Sequence, residues 1–193
     1  MLTVELDGLP LRLKAPHDLG WLKGYGRVFC VFDGLITGNL CFGVEKAGRR
    51  LFVKYAGARP PQYAGEPQRA VETLMITALL HDKLRHPCLS PVLERFETDN
   101  GFGLVFPWFE GYALGPLQVH MDAFRRLPLG TRLLLYDKLA DFFALAAERD
   151  YVAGGVYDEK ILVDFSRQNL MFCSVSRFMQ MPARTPSPKL PGS

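Results

Sequence analysis

The information about the fold is concentrated in two stretches, Gly38-Asn-Leu-Cys-Phe-Gly-Val-Glu45 and Arg50-Leu-Phe-Val-Lys-Tyr55. Both stretches are rich in β-branched and aromatic residues, which favour strands. The segment between them, Lys46-Ala-Gly-Arg49, contains the glycine that a tight turn requires. A third β-rich run, Arg27 to Phe32, precedes them and ends at the turn signal Asp33-Gly34. The pattern predicts three antiparallel strands joined by tight turns.

The segments on both sides of these three strands also show regular patterns of apolar residues. Apolar residues spaced three and four apart between Gln68 and Leu84 predict a helix, and His86-Pro87 follows it. The other elements predicted in this half are a hairpin over residues 2–13 and two strands over residues 89–97 and 101–106. We therefore expect the first half of the chain to form a small sheet with one helix.

The pattern changes beyond residue 108. Glycines become frequent between Phe109 and Gly115 and the periodicity fails, so we expect a hinge there. Arg132 to Arg149 gives the clearest helix signal, with a broad apolar face. Two short strand-like runs follow, over residues 160–163 and 169–172. The stretch after Met181 holds four prolines and no core pattern, so we expect it to be disordered.

The bulk composition narrows the class of protein. A chain of 193 residues with 48% hydrophobic residues is long enough for one good core or two small ones. The net charge of +3 is spread without a basic run, which argues against a nucleic-acid partner. The four cysteines lack metal-ligand spacing, the N-terminus lacks a secretory pattern, and no apolar stretch approaches bilayer-spanning length. We therefore expect reduced thiols, a cytoplasmic location and no membrane partner.

The order of these elements, together with local motifs, resembles the protein kinases, and in particular small bacterial serine/threonine-kinase-like proteins. The motifs that carry the resemblance are Gly26-Arg-Val-Phe29, Gly38 to Glu45, Leu51-Phe-Val-Lys-Tyr-Ala-Gly-Ala58, His86-Pro87, Tyr151-Val-Ala153 and Val156 to Phe165. The resemblance covers residues 20–178. It implies an α+β, protein-kinase-like fold class, with an antiparallel five-stranded upper lobe carrying one helix and a truncated, mainly helical lower lobe.

The resemblance also divides the chain. It implies a kinase-like upper lobe at residues 1–108, a hinge and partial lower lobe at residues 109–181, and the proline-rich tail at residues 182–193. In a complete kinase, further helices cover the helix that is predicted here over residues 132–149. We therefore expect the outward side of this helix to be covered by self-association, by a protein partner, or by residues 172–181.

A nucleotide site is implied by the same resemblance. Lys54 matches the strand lysine that contacts the α- and β-phosphates of ATP, and Gly34 and Gly38 belong to the loop that would cover the phosphates. Phe106 would be the gatekeeper beside the adenine ring, and the Phe109 amide would donate a hydrogen bond to that ring. These five residues are the predicted nucleotide-binding set.

Each of these residues also has a purely structural interpretation. Lys54 can be a solvated strand lysine, the glycine loop an ordinary hairpin loop, and the aromatic hinge a turn that packs two lobes together. The loop is not a clean GxGxxG, and the chain has no Walker A motif. The glutamate that pairs with the kinase lysine is also missing, since its position is Thr77 and Glu72 lies on a different face of the helix.

The catalytic half of the pattern is incomplete. Gly155 stands at the catalytic aspartate position and Lys160 at the metal-binding asparagine position. Glycine offers no base, and the loss of a positioned base costs about 10² to 10⁴ in rate. A lysine would repel Mg²⁺ rather than bind it. Asp158 is a candidate surrogate for the base, although a turn-forming role is commoner for such a residue.

The second metal ligand is missing as well. One alignment puts Ser174 at the magnesium-binding aspartate position. A second alignment joins Ser176-Arg-Phe-Met179 to a later kinase motif and deletes the activation segment. Asp164 lies in a turn between two predicted strands and points elsewhere in the family pattern. Neither alignment leaves a carboxylate to hold a metal ion between the phosphates.

The sequence therefore predicts a kinase-like domain that binds ATP or ADP weakly, does not depend on Mg²⁺, and has impaired phosphoryl transfer. It is either a degenerate kinase or a fragment of one that was once active. The alternative is a non-catalytic interaction module that has kept the fold and lost nucleotide. Retention of Lys54 favours nucleotide binding, and the losses at Gly155, Lys160 and Ser174 favour a non-catalytic protein.

Overall fold

The computed structural model describes residues 1–115 and 117–182. The strands in chain order are β1 (Leu2–Leu6), β2 (Leu9–Leu13), β3 (Arg27–Phe32), β4 (Asn39–Lys46), β5 (Arg49–Ala56), β6 (Glu94–Thr98), β7 (Gly101–Pro107), β8 (Tyr112–Ala113), β9 (Tyr151–Ala153), β10 (Ile161–Asp164), β11 (Asn169–Phe172) and β12 (Phe178–Gln180). The α-helices are α1 (Pro67–Lys83), α2 (Gln118–Arg126) and α3 (Leu129–Glu148), and short 3-10 helices cover Gly20–Gly24 and Asp158–Lys160.

The largest sheet has five antiparallel strands in the order β3-β4-β5-β7-β6. In its centre, Lys54 of β5 pairs with Cys41 on one side and with Leu104 on the other. Because successive side chains alternate between the faces of a sheet, Phe52 and Lys54 share one face. Helix α1 packs on this face through Ala70, Leu74 and Ala78, against Ala56, Phe102, Leu104 and Phe106 of the sheet.

Helix α1 begins at Pro67 because proline suits the first helical position, where no backbone donor is needed. Its buried residues recur at helical spacing and place one apolar stripe on the sheet. The end of the helix is marked by Leu84, whose N–H donates to Leu80 O. The element that sits beside Lys54 is therefore fixed by ordinary helix chemistry.

The opposite face of the sheet is covered by the N-terminal hairpin of β1 and β2 and by the first 3-10 helix. Leu11, Leu13 and Leu22 pack there against Phe42, Val53 and Tyr55, which are all buried. The hairpin is also tied to the end of β3, since the Arg12 guanidinium donates to both oxygens of Asp33 at 2.7 and 3.0 Å. This pairing lowers the pKa of the Asp33 carboxyl below its usual value.

The second core lies under α3. Leu135, Leu139, Phe142 and Ala146 form its buried stripe, and Phe172 and Phe178 pack onto Phe142 with ring centroids 5.6 and 5.7 Å away. Two small antiparallel sheets complete this half, one in the order β11-β10-β8 and one of β12 and β9. The segment from β11 to β12 therefore covers the inner side of α3.

The predicted fold class is wrong. The part after the hinge was expected to be mainly helical, whereas its described residues hold five short strands in two sheets beside two helices. Across the described residues, twelve strands in four antiparallel sheets accompany three α-helices, so the architecture is predominantly antiparallel β. The reason is that β8, β9 and β12 are two or three residues long, which is too short to produce a recognisable alternation in the sequence.

Several element boundaries also differ from the prediction. The strand expected over residues 89–97 begins only at Glu94, and α2 was not predicted. The expected disordered tail lies, apart from Pro182, outside the described residues. None of the described helices has the length and apolar character needed to span a bilayer. All four cysteines have free thiols.

The outward side of α3 is apolar and exposed. Leu129, Leu133, Leu134 and Tyr136 are each more than half exposed. Residues 172–178 cover only the inner side, as described above. The expectation that self-association or a protein partner covers the outward side stays a prediction.

Candidate functional site

Lys54 stands half-buried in the middle of the five-stranded sheet, on the face that carries α1. Within the described part of the chain, its ammonium makes no ion pair and no hydrogen bond. The positive charge of Lys54 affects nearby groups. It lowers the pKa of His81, and it partly offsets the rise in the pKa of Cys41 and Cys173 that burial causes. Lys54 therefore has no hydrogen-bonding or charged partner among the described residues, and its charge acts on groups in β4, in α1 and in the segment after β11.

The helix does not supply the glutamate that a kinase lysine would pair with. Thr77 is buried and its hydroxyl donates to Thr73 O at 2.7 Å. Glu72 is exposed and forms no ion pair among the described residues. The polar group of α1 that comes near Lys54 is His81, one turn after Thr77, which the sequence analysis missed.

His81 is neutral at physiological pH. Burial and then the charge of Lys54 lower its pKa to about 4. Its Nδ1 lies 3.0 Å from Ser90 O, whereas its Nε2 is buried without a hydrogen-bond partner among the described residues. The side chain is 5% exposed, and its ring centroid lies 5.2 Å from that of Phe106.

A second cation is Lys160, whose predicted match to a metal-binding asparagine of kinases stays a prediction. Lys160 Nζ donates to Gly155 O at 2.9 Å and lies 5.2 Å from the centroid of the Tyr157 ring. The pKa of Lys160 is lowered, first by burial, then by the charge of Arg177, and also by that of Lys54. Gly155 thus contacts Lys160 through its carbonyl, and the predicted loss of a catalytic base at Gly155 stays a prediction.

Arg177 completes the group of cations, and it too was missed in the sequence. Its guanidinium lies 5.9 Å from the centroid of the Tyr157 ring, and its Nη1 is 3.4 Å from Tyr157 Oη. The backbone holds it there, since Gly154 N–H donates to Arg177 O at 2.7 Å. Lys54, Lys160 and Arg177 are hereafter called the cation cluster.

Carboxylates do not balance this cluster as a metal site would require. Glu159 raises the pKa of Lys160, but burial and the neighbouring cations outweigh it. Ser174 lies 3.1 Å from the Ser176 hydroxyl, oxygen to oxygen. In residues 1–115 and 117–182 no three His, Cys, Asp or Glu side chains come together as a metal-binding group.

The two aspartates nearest to the loop have other surroundings. Asp158 is exposed and lines a surface cavity of about 450 Å³ with Gly115, Val156, Tyr157 and Glu159. Asp164 is buried, and its Oδ1 accepts hydrogen bonds from the N–H and hydroxyl of Ser166 and from Arg167 N–H. These bonds, chiefly that from the Ser166 hydroxyl, lower its pKa. Asp164 thus stabilises the turn between β10 and β11.

The glycine loop is anchored at both ends. Asp33 is held by Arg12, as described above. Gly38 has φ +79°, and a Cβ at this position would lie 2.7 Å from the Ala70 Cβ and 2.8 Å from the Tyr63 ring. Gly34, in contrast, has open space around it. Gly38 is therefore required for close packing of the loop on α1, and only Gly34 faces an unfilled volume.

This difference gives a direct prediction. Gly38→Ala should lower the free energy of unfolding by about 1–3 kcal/mol, because the new methyl group meets α1 and the backbone is left-handed. Gly34→Ala is the matched control and should change it by less than about 0.5 kcal/mol. Urea unfolding followed by circular dichroism measures both. Equal effects of the two substitutions would contradict the packing role of Gly38.

The hinge is lined by aromatic rings. Phe106 is buried, and Phe109 is half-buried with its carbonyl accepting from Gly111 N–H at 2.9 Å. The Phe109 N–H makes no hydrogen bond within the described residues. Five rings spread from this point across the sheet and are hereafter called the aromatic cluster: Phe29, Phe32, Phe52, Phe106 and Trp108.

Two surface cavities are present among the described residues, and Tyr157, which contacts Lys160 and Arg177, lines the first of them. One is the depression beside Asp158, and another, of about 290 Å³, is lined by residues that include His17, Asp18 and Arg59. Neither is lined by Lys54, Phe106 or Phe109. The role of Lys54, Gly34, Gly38, Phe106 and Phe109 in nucleotide binding stays a prediction.

Comparison with known proteins gives one line of similarity. No family model and no curated protein matches the chain. Among solved structures, it is similar to a twitchin kinase fragment of C. elegans, described as an autoregulated protein kinase with immunoglobulin domains. The TM-score is 0.62 at 16% identity, over 89% of this chain and 36% of that one. At this identity the likeness is one of fold alone.

Proposed function

We propose that the chain binds a nucleoside triphosphate weakly, through its phosphate groups and without Mg²⁺, and does not transfer the γ-phosphate. The observation that carries this proposal is the cation cluster. Lys160 and Arg177 both lie against the Tyr157 ring, and the charge of Lys54 contributes to the lowered pKa of Lys160. The kinase resemblance matches Lys54 to the phosphate lysine and Lys160 to a metal-binding asparagine. The fold likeness to the twitchin kinase fragment supports a kinase-like relationship at the coarse level only.

The charges explain why a metal ion is not required. In metal-dependent phosphoryl transfer, carboxylate and amide oxygens hold Mg²⁺ against the β- and γ-phosphates. Here Lys160 brings a positive charge to that position directly, and Arg177 stands beside it over the Tyr157 ring. Charge-assisted hydrogen bonds from such cations to phosphate oxygens are stronger than neutral ones. A metal ion would instead meet two like charges and few ligands.

The same residues remove the means of phosphoryl transfer. The Gly155 position has no side chain to accept the proton of an acceptor hydroxyl, and its carbonyl is already bonded to Lys160. Asp158 is exposed and lines the surface cavity together with Tyr157, and its carboxylate makes no hydrogen bond or ion pair within the described residues. Without a positioned base and a metal site, the protein can bind a nucleoside triphosphate but cannot transfer its γ-phosphate.

Binding without transfer is tested by pairing two assays on the same preparation. Titration calorimetry with ATP should show weak binding, while radiolabelled ATP should give no transfer to the protein or to a generic acceptor above background. Gly155→Asp should remain inactive, because no metal ligand is restored. It should bind ATP more weakly, because Gly155 has φ +146° and the added carboxylate would lie beside Lys160 and Tyr157. Measurable turnover by the unchanged protein would contradict the proposal and direct attention to Asp158 and Asp164.

A non-catalytic interaction module is the second candidate function. It is favoured by the exposed leucines on the outward side of α3, which resemble an unsatisfied contact surface. The calorimetric titration separates the two candidates. A module that has lost nucleotide would give no binding heat with ATP.

A further inference from the structure

The part of the sheet between Lys54 and the hinge is filled by the chain's own rings. Phe52 lies two residues before Lys54 on the same sheet face, and its ring centroid is 6.2 Å from that of Phe32. It is 6.3 Å from those of Phe106 and Trp108. The aromatic cluster therefore occupies the surface on which a base adjacent to the hinge would lie.

Aromatic rings also cover the neighbouring strand, β4. Gly43 of β4 is buried, and a Cβ there would meet the Phe29 ring at 2.7 Å and the Trp108 ring at 2.9 Å. The Phe29 and Trp108 centroids are only 4.8 Å apart in an edge-on arrangement. The Phe29 and Trp108 rings thus pack onto the backbone of β4 at Gly43.

Lys54 lies on this same sheet face, two residues after Phe52, and its charge acts on Lys160 of the cation cluster. Lys54 has no partner within the described residues, and Lys160 and Arg177 are engaged only by the Gly155 carbonyl and by Tyr157. These are weak ligands for full positive charges, so both cations can exchange them for phosphate oxygens. The three cations can therefore bind phosphate groups, whereas the surface beside the hinge is already covered by the aromatic cluster and would not bind a base.

We propose that the site recognises a linear polyphosphate chain and does not read the base attached to it. Nucleoside triphosphates with different bases and inorganic tripolyphosphate then compete for one site, and affinity rises with the number of phosphates. This inference rests on the proposed function, because it names the part of the nucleotide that the same site binds.

The test is titration calorimetry in EDTA at constant ionic strength, with ATP, GTP, ADP, tripolyphosphate and adenosine as separate ligands. The first two and tripolyphosphate should agree in Kd within about threefold, ADP should bind about tenfold more weakly, and adenosine should give no heat. Arg177→Ala should weaken ATP and tripolyphosphate by the same factor of about ten. Arg27→Ala, at an exposed arginine of β3, should change neither.

The outcomes separate this inference from the function on which it rests. ATP binding that tripolyphosphate does not displace, or a preference for ATP over GTP of about thirtyfold or more, would overturn base-independent recognition while leaving nucleotide binding intact. Tripolyphosphate binding without ATP binding would support the phosphate site and contradict the nucleotide function. Absence of heat with every ligand would contradict both.

Discussion

Replacement of Phe142 by alanine is expected to lower the free energy of unfolding by about 3–5 kcal/mol. Phe142 is fully buried on α3 and contacts the rings of Phe143, Phe172 and Phe178. Alanine would leave a cavity between the helix and the segment from β11 to β12, which also positions Arg177. The loss is a large fraction of the roughly 5–15 kcal/mol by which a typical domain is stable.

Leu134→Ala is the matched control for this substitution. Leu134 lies on the same helix and is 67% exposed, so its removal should change stability by less than about 0.5 kcal/mol. Chemical denaturation of the two variants and the unchanged protein gives the comparison. Similar losses for both variants would mean that the outward side of α3 is covered in solution, and would support self-association or a protein partner there.

Replacement of Lys54 by alanine is expected to weaken ATP binding by about ten- to a hundredfold, the range for loss of a hydrogen bond to a charged group. Lys54 belongs to the cation cluster, and its ammonium forms no ion pair or hydrogen bond within the described residues. Its removal should leave the fold unchanged, because the lysine holds no ion pair that would break. Calorimetry with ATP in EDTA measures the change.

Lys23→Ala removes the same charge from the exposed 3-10 helix on the opposite face of the sheet. It should leave the affinity for ATP unchanged within about twofold. If Lys23→Ala weakened binding as much as Lys54→Ala, the attraction would come from the net charge of the chain and not from a site. That result would remove the main support for the proposed function.

Local periodicity was enough to predict most of the large elements. The strand over residues 27–32 and the helix over residues 68–84 are confirmed, as β3 and as α1 with bounds shifted by one residue. Both are long enough for their side-chain alternation or their helical spacing to be evident. The same approach could not predict that β8 pairs with β10, or β12 with β9, because strands of two or three residues form only when the rest of the chain brings them together.

The candidate site was predictable only in part. Lys54 and Lys160 were identified from their positions in a resemblance, whereas Arg177 and His81 were not, because nothing in their local sequence distinguishes them from a surface arginine and a helical histidine. Both residues are recognised only from tertiary contacts. The Tyr157 hydroxyl lies within 3.4 Å of Arg177 Nη1, and the Ser90 carbonyl lies 3.0 Å from His81 Nδ1. Gly38 was predicted from the resemblance to cover phosphates, whereas the structure shows that it packs closely against Ala70 of α1.

The measurement that tests the account most directly is the affinity for ATP in EDTA compared with that in excess Mg²⁺, at matched ionic strength. The kinase resemblance matches Lys160 to a metal-binding asparagine, and Arg177 lies beside it over the Tyr157 ring. We therefore expect free ATP to bind at least as tightly as its magnesium complex. Binding that appears only with Mg²⁺, or that Mg²⁺ tightens by about tenfold or more, would contradict a metal-free phosphate site.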